Sequence, residues 1–245
     1  INTGAVDLRR PYSLGQGVTA DELTGGASNW LCPCTISSTA RPVNDATGEF
    51  YHTFTDFHVP GRIDLDFTRT YSSLRTATLG PTGYGWTDNY NQYLSFDGSG
   101  NATIHEANGS AVVFTFTAPS TYTGPPDEHV SLVKNGDSTF TLTDAGQNQT
   151  VFNPAVSNLS TLKKIVDRHG TAAYTLTMAY NGDGTLGSVT DPNGRTLTFA
   201  YTTIGTAKLI QTVTQNDSPS RSVSFQYGTN SGDPTTYQSL TQVTD

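Results

Sequence analysis

A turn-and-strand unit written several times over governs what this chain can fold into. Its clearest copy is Leu186 to Tyr201, LGSVTDPNGRTLTFAY. Val189 and Thr190 lead into Asp191-Pro192-Asn193-Gly194, where proline presets φ and Asn-Gly accepts the left-handed backbone of a tight turn. Beyond it Leu197, Phe199 and Tyr201 alternate with Thr196, Thr198 and Ala200, the period of a strand with one buried face. Asp167 and Asp191 lie 24 residues apart, and so do Asp191 and Gln215. An aromatic-ended strand follows each: YTLTMAY to Tyr180, RTLTFAY to Tyr201 and RSVSFQY to Tyr227. LTQVTD opens a fourth copy, from which we expect the chain to be a piece of a longer array. The repeat-defining positions are therefore Asp167, Tyr180, Asp191, Gly194, Tyr201 and Tyr227.

One such hairpin is marginal alone, because it buries one face and leaves two edges unpaired. Neighbours supply the missing stability, as in other repeat proteins. A buried tyrosine ring with a hydrogen-bonding hydroxyl is expected to tie one hairpin to the next. Upstream, QYLSF, ATIHEA, AVVFTFT, VSLVK, STFTLTD and QTVFNP read as strands. The segments DGSGN, ANGS, PSTYTGPPDE, NGD and AGQN separate them, a meander with a turn every 8–12 residues. Ser157 to Lys164 is expected to enter the first repeat rather than form a helical turn. Composition agrees with strands and turns: 14% charged residues, 24 glycines and 12 prolines.

Before the meander, Pro42-Val43-Asn44-Asp45-Ala46-Thr47-Gly48-Glu49-Phe50 is a turn feeding alternating strands. Phe50, His52 and Phe54 fall on one side and Tyr51, Thr53 and Thr55 on the other. Pro60-Gly61 is a second turn, after which Ile63, Leu65 and Phe67 face one way and Asp64, Asp66 and Thr68 the other. The two aspartates read as edge-protecting charges. GYGWTDNY (83–90) completes the series.

These motifs resemble the domain that precedes the repeats in bacterial RHS proteins: a PVN-x-x-TG-x-F strand, a PGR turn, an F-x-R-x-Y-x-S strand and a GxGW-x-x-x-Y element, in that order. The Asp–Gly turns with a closing tyrosine resemble the YD repeats of the same proteins, of toxin-complex C subunits and of teneurins. Together the resemblance covers about residues 32–245. It implies an all-β fold with little helix, a meander of antiparallel hairpins in a curved or spiralling sheet that begins a hollow shell. It also implies a secreted or surface-displayed bacterial protein whose activity, in the toxin members, lies in an enclosed C-terminal region. The expected organisation is an extended arm or leader (1–31), a pre-repeat β-domain (32–160) and YD-repeat hairpins (161–245).

The expected role is structural, a segment of β-shell or fibre. The alternative is a carbohydrate- or cell-surface-binding adhesin using Trp86, Tyr90 and Tyr93, because aromatic rings on a β-face stack on sugars. Cys32 and Cys34 stand in Cys-Pro-Cys, and three readings stay open. A bridge at that spacing is geometrically awkward. A metal site needs about four ligands, with only His52 and His58 near in sequence. Otherwise the two are plain thiols or cross-links to another chain. RHS proteins often carry a cysteine pair upstream of this motif, usually spaced wider. The five histidines and the Asp64/Asp66 and Asp127/Glu128 pairs stand in no GxSxG, HExxH or P-loop pattern. No catalytic role and no cofactor are expected, and the acidic Gly turns fall short of a calcium loop.

A net charge of −8 argues against nucleic acid as the main partner. No apolar run approaches the roughly 18 residues of a membrane span. Sequons at Asn101, Asn108, Asn148, Asn158 and Asn216 suggest exposed turns. The expected partners are further repeats or other copies, joined by edge-strand pairing at the 240–245 strand, with glycans under the alternative reading.

Overall fold

The computed structural model describes residues 48–126, 129–217 and 219–245. The expected leader, Cys32, Cys34 and the Asp127/Glu128 pair lie outside them. In chain order the first strands are β1 (Tyr51–Val59), β2 (Leu65–Ser72), β3 (Leu79–Gly80), β4 (Gly83–Tyr84) and β5 (Trp86–Asp88). Next come β6 (Tyr93–Phe96), β7 (Ala102–His105), β8 (Ala111–Thr117), β9 (Thr121–Thr123), β10 (Ser131–Lys134), β11 (Phe140–Thr143) and β12 (Gln149–Phe152). The last are β13 (Leu159–Val166), β14 (Thr175–Tyr180), β15 (Leu186–Thr190), β16 (Thr196–Ile204), β17 (Ala207–Gln215), β18 (Arg221–Tyr227) and β19 (Leu240–Thr244). Two single 3-10 turns, Ser73–Arg75 and Ala172–Tyr174, are the helical content among the described residues. The fold is all-β and antiparallel throughout its named strands, as the repeat and turn chemistry requires.

One sheet of 14 strands runs from β6 to β19. Its first eight strands close into a barrel, and β13 is where it both closes and opens. Leu159–Thr161 of β13 pair with β6, and Leu162–Val166 pair with β12. Lys164–Val166 also pair with β14, which carries the sheet onward through the hairpins. The expected boundary at residues 160 and 161 falls inside this strand. Every barrel strand but the three-residue β9 contributes a large fully buried side chain: Leu94, Ile104, Phe114, Leu132, Leu142, Phe152 and Leu162. Inward-facing residues, alternating with outward ones along each strand, thus fill an interior of this size. The PSTYTGPPDE stretch, read above as a separator, contains β9, whose β-branched and aromatic Thr-Tyr-Thr bridges β8 and β10.

The barrel and hairpin turns share one construction. In Asp97–Asn101, Glu106–Ser110, Asn135–Thr139, Asp144–Asn148, Asn181–Thr185 and Asp191–Arg195, the first N–H donates to the last carbonyl. The fourth N–H donates back to the first carbonyl. The fourth residue has positive φ, whether Gly194 (82°) or the non-glycine Ser138 and Gln147 (66° each). This is a type I turn closed by a bulge, a common hairpin connection.

A second sheet, β1-β2-β5, lies across the hairpins. The Phe67 ring meets Phe199 at 5.6 Å and Phe225 at 6.2 Å. Leu65 and Phe67 face the core as expected. Asp64 and Asp66 do not protect an edge, because β2 is the middle strand of its sheet. Asp66 is buried against His58, and Asp64 accepts the Gly61 N–H in the turn. The small β3–β4 hairpin docks on the far hairpins, Pro81 accepting the Ile210 N–H and Tyr84 donating to the Gln238 carbonyl. Asn148 is buried and bonded to Asp144, so that sequon is not an exposed turn.

Candidate functional site

The repeat positions converge on one device, built from a tyrosine and a bulge. Where one hairpin pairs with the next, the register slips by one residue, and the extra residue always sits on the following strand. Val151 faces Lys164 while Phe152 faces Leu162, leaving Lys163 unpaired. Ala179 faces Ser188 while Tyr180 faces Leu186, leaving Gly187. Tyr201 leaves Gln211 in the same way, and Tyr227 leaves Thr241. The bulged residues 163, 187 and 211 keep the 24-residue period, and 241 follows after 30.

A bulge disrupts the ladder locally and frees a carbonyl that must find another donor. The tyrosine hydroxyls supply it. Tyr180 donates to Leu162 O at 2.7 Å, Tyr201 to Leu186 O at 3.0 Å and Tyr227 to Ile210 O at 2.5 Å. Each acceptor is the residue just before a bulged one. The hydroxyl therefore acts inside its own hairpin, while its own strand opposes the bulge of the next. Each tyrosine serves two junctions, so the expected tie between hairpins runs through the bulges. Burial raises the pKa of all three hydroxyls, which keeps them protonated donors. Phe152 occupies the equivalent place one unit earlier, fully buried and without a hydroxyl.

Asp191 anchors the turn at the other end of its hairpin. Its Oδ1 accepts the N–H groups of Asn193 (2.9 Å) and Arg195 (2.8 Å), and its Oδ2 accepts Arg195 Nε at 2.7 Å. Asp167 accepts His169 N–H at 3.0 Å and meets the His169 ring, which stacks on Tyr174. Gln215 stands in for the aspartate, its Oε1 holding the Arg221 guanidinium at 2.7 Å.

The structure separates the three aromatic candidates for a binding face. Tyr90 is buried, its ring on Phe199 and its hydroxyl donating to Asp66 O. Tyr93 stacks on His105, 4.2 Å between centroids. Trp86 is half-buried beside Tyr71 and Phe54. Beneath it lies a cluster that the sequence reading missed. Arg69 bonds Asp56 through Nε and Nη2 and sits 5.0 Å from the Trp86 and Phe225 ring centres. Asp88 faces Arg69 across β2 and β5. Burial pushes the Asp88 carboxyl up to about 6, although the Tyr90 and Asn91 N–H groups and Arg69 oppose it. Cross-strand spacing in β1, β2 and β5 could have shown this pairing only once the register was known.

His52 and His58 both lie on β1, six residues apart, which at strand rise is roughly 20 Å. They cannot ligate one ion together, which removes the four-ligand set considered for Cys32 and Cys34. Asp66, opposite His58, has its carboxyl raised by burial, with the His58 hydrogen bond and charge pulling it back.

A family described as "Domain of unknown function (DUF6531)" matches residues 40–114. That span holds β1 to β7 and the turn motifs before them. No curated protein sequence matches. Among solved structures, one titled "Crystal Structure of TcdB2-TccC3" is similar over 80% of this chain and 15% of that chain, with TM-score 0.53 and 10% identity. The likeness is one of fold alone, and it supports the RHS-related fold that the motifs implied. This chain spans about 15% of the length of that one.

Proposed function

We propose that this chain is a wall segment of an RHS-type β-shell, with YD repeats, that encloses or displays a region outside residues 1–245. Its work is structural and non-catalytic, in a secreted or surface-displayed bacterial protein of the toxin-associated class. The observation that carries this reading is the interlock of hairpins, in which each tyrosine completes the hydrogen bonding of one bulge and faces the next. A device of that kind builds surface by addition. The fold likeness to TcdB2-TccC3 supports the same reading.

Electron microscopy of the natural full-length protein tests it. The expected image is a hollow body whose wall contains the 14-stranded sheet. A free-standing globular unit joined to the remainder by linkers would overturn the proposal.

A second reading, an adhesin surface, rests on one feature. Phe50 and Phe54, each 43% exposed, lie beside Tyr71 and Trp86 on one aromatic margin. A sugar-binding site would sit there, with Trp86 but without Tyr90 or Tyr93. Glycan-array binding that Phe50→Ala abolishes in a folded chain would favour it, and an empty array would remove it.

A further inference from the structure

The β1–β2 hairpin brings three metal-ligating side chains to one place. His58 and Asp66 face each other in register, and Asp64 follows the Pro60-Gly61 turn between them. One ligand atom from each lies within 4.8 Å of the other two. Among the described residues this is the group of histidine and carboxylate side chains so placed. We propose that His58, Asp64 and Asp66 bind one first-row divalent transition cation of the zinc class.

The geometry is close to what such an ion requires. Tetrahedral sites with bonds of about 2.0–2.1 Å hold their donor atoms roughly 3.3 Å apart. No pair therefore has to close by more than about 1.5 Å. His58 Nδ1 already meets Asp66 Oδ1 at 2.8 Å, a hydrogen bond that an ion would replace, and its side chain is 57% exposed at the hairpin end. The carboxylates are positioned already. Asp66 is held in the buried middle strand, and Asp64 Oδ1 accepts the Gly61 N–H at 2.9 Å. A ligand carboxylate oriented by a second hydrogen bond is how metal sites fix their first ligands.

The donor set selects the ion. One imidazole with two carboxylates suits zinc, manganese or iron, whereas calcium and magnesium take oxygen donors. Two ionised carboxylates bring a charge of −2, which a divalent ion cancels. Three protein ligands leave a solvent-facing fourth position. When bound, the ion would clip the end of β1 to β2 across the turn.

Isothermal titration of the whole 245-residue chain with zinc sulfate, after chelator treatment, tests the site. Because Cys32 and Cys34 offer thiolates, the titration is done on the Cys32→Ser, Cys34→Ser background. The expected result is one equivalent of zinc, with calcium and magnesium not competing. His58→Ala and Asp64→Asn should each weaken binding about 100-fold or more, since even the groups that only orient a ligand are worth 10–100-fold. Asp64→Asn keeps an acceptor for Gly61 N–H, so its circular dichroism should match the parent. No saturable zinc binding on the serine background would overturn the proposal, as would binding that survives both ligand variants unchanged.

Discussion

Replacing Asp88 by asparagine removes a carboxylate that the fold buries completely, and the consequence for stability can be worked out. The folded-state pKa is raised from 3.8 to about 6 by burial. Below pH ~4 the group is protonated in both folded and unfolded chains and costs nothing. As pH rises from about 4 to 6 the unfolded chain releases the proton while the folded one resists, so stability falls. Above pH ~6 the loss is complete. Two pKa units correspond to about 3 kcal/mol. Arg69 keeps its bidentate bond to Asp56 in the variant, and the carboxamide oxygen introduced at position 88 can accept the Tyr90 N–H that Asp88 Oδ1 accepts now at 2.9 Å. Denaturant unfolding at pH 4, 5, 6 and 7 gives the test as a difference curve, so the opposite slopes of surface carboxylates such as Asp97 and Asp183 cancel. We expect the variant to match the parent near pH 4 and to exceed it by about 2–3 kcal/mol at pH 7. A flat difference curve, or a variant weaker at every pH, would refute the view that Asp88 is an under-compensated buried charge.

Tyr201→Phe and Tyr227→Phe each leave a carbonyl without its donor and should cost about 1–3 kcal/mol in chemical denaturation. Losses under a few tenths would mean the hydroxyls do not serve the bulges. Phe67→Ala removes the ring that meets Phe199 and Phe225 and should cost about 3–5 kcal/mol. A much smaller loss would show that the β1-β2-β5 sheet is not packed on the hairpins. Val243, 38% exposed on the outermost strand, is the place to blunt strand addition. Light scattering should show concentration-dependent association of the parent that Val243→Lys reduces, and a parent that stays monomeric at high concentration would count against edge pairing.

Much of the fold was legible because its cues are local. The Asp–Gly turns, the two-residue alternation of β16 and the aromatic strand ends all lie within a single hairpin. The device that joins hairpins was not. Its bulged positions are Lys163, Gly187, Gln211 and Thr241, four residue types with nothing in common, because a bulge is defined by the partner strand. Ring closure was equally hidden, since Tyr93 and Thr161 meet across 68 residues. The aromatic binding candidates divide for a related reason. Tyr90 and Trp86 present similar local signals, and only packing sends one to the interior. Asp66 reads as a surface charge until its strand turns out to be covered, and nothing local to Asp88 marks it as buried.

The position of the extra residue carries a final consequence. It falls on the later strand at all four joints, so the same local distortion of the ladder recurs at each of them. The spacing of the joints is then fixed by counting residues. Between Gln211 and Thr241 the count is six longer, and the surplus is spent in the 228–239 loop without disturbing the phase of the joint. A sheet assembled on this rule can lengthen its loops, vary its outer face and still offer the same joint to the next hairpin.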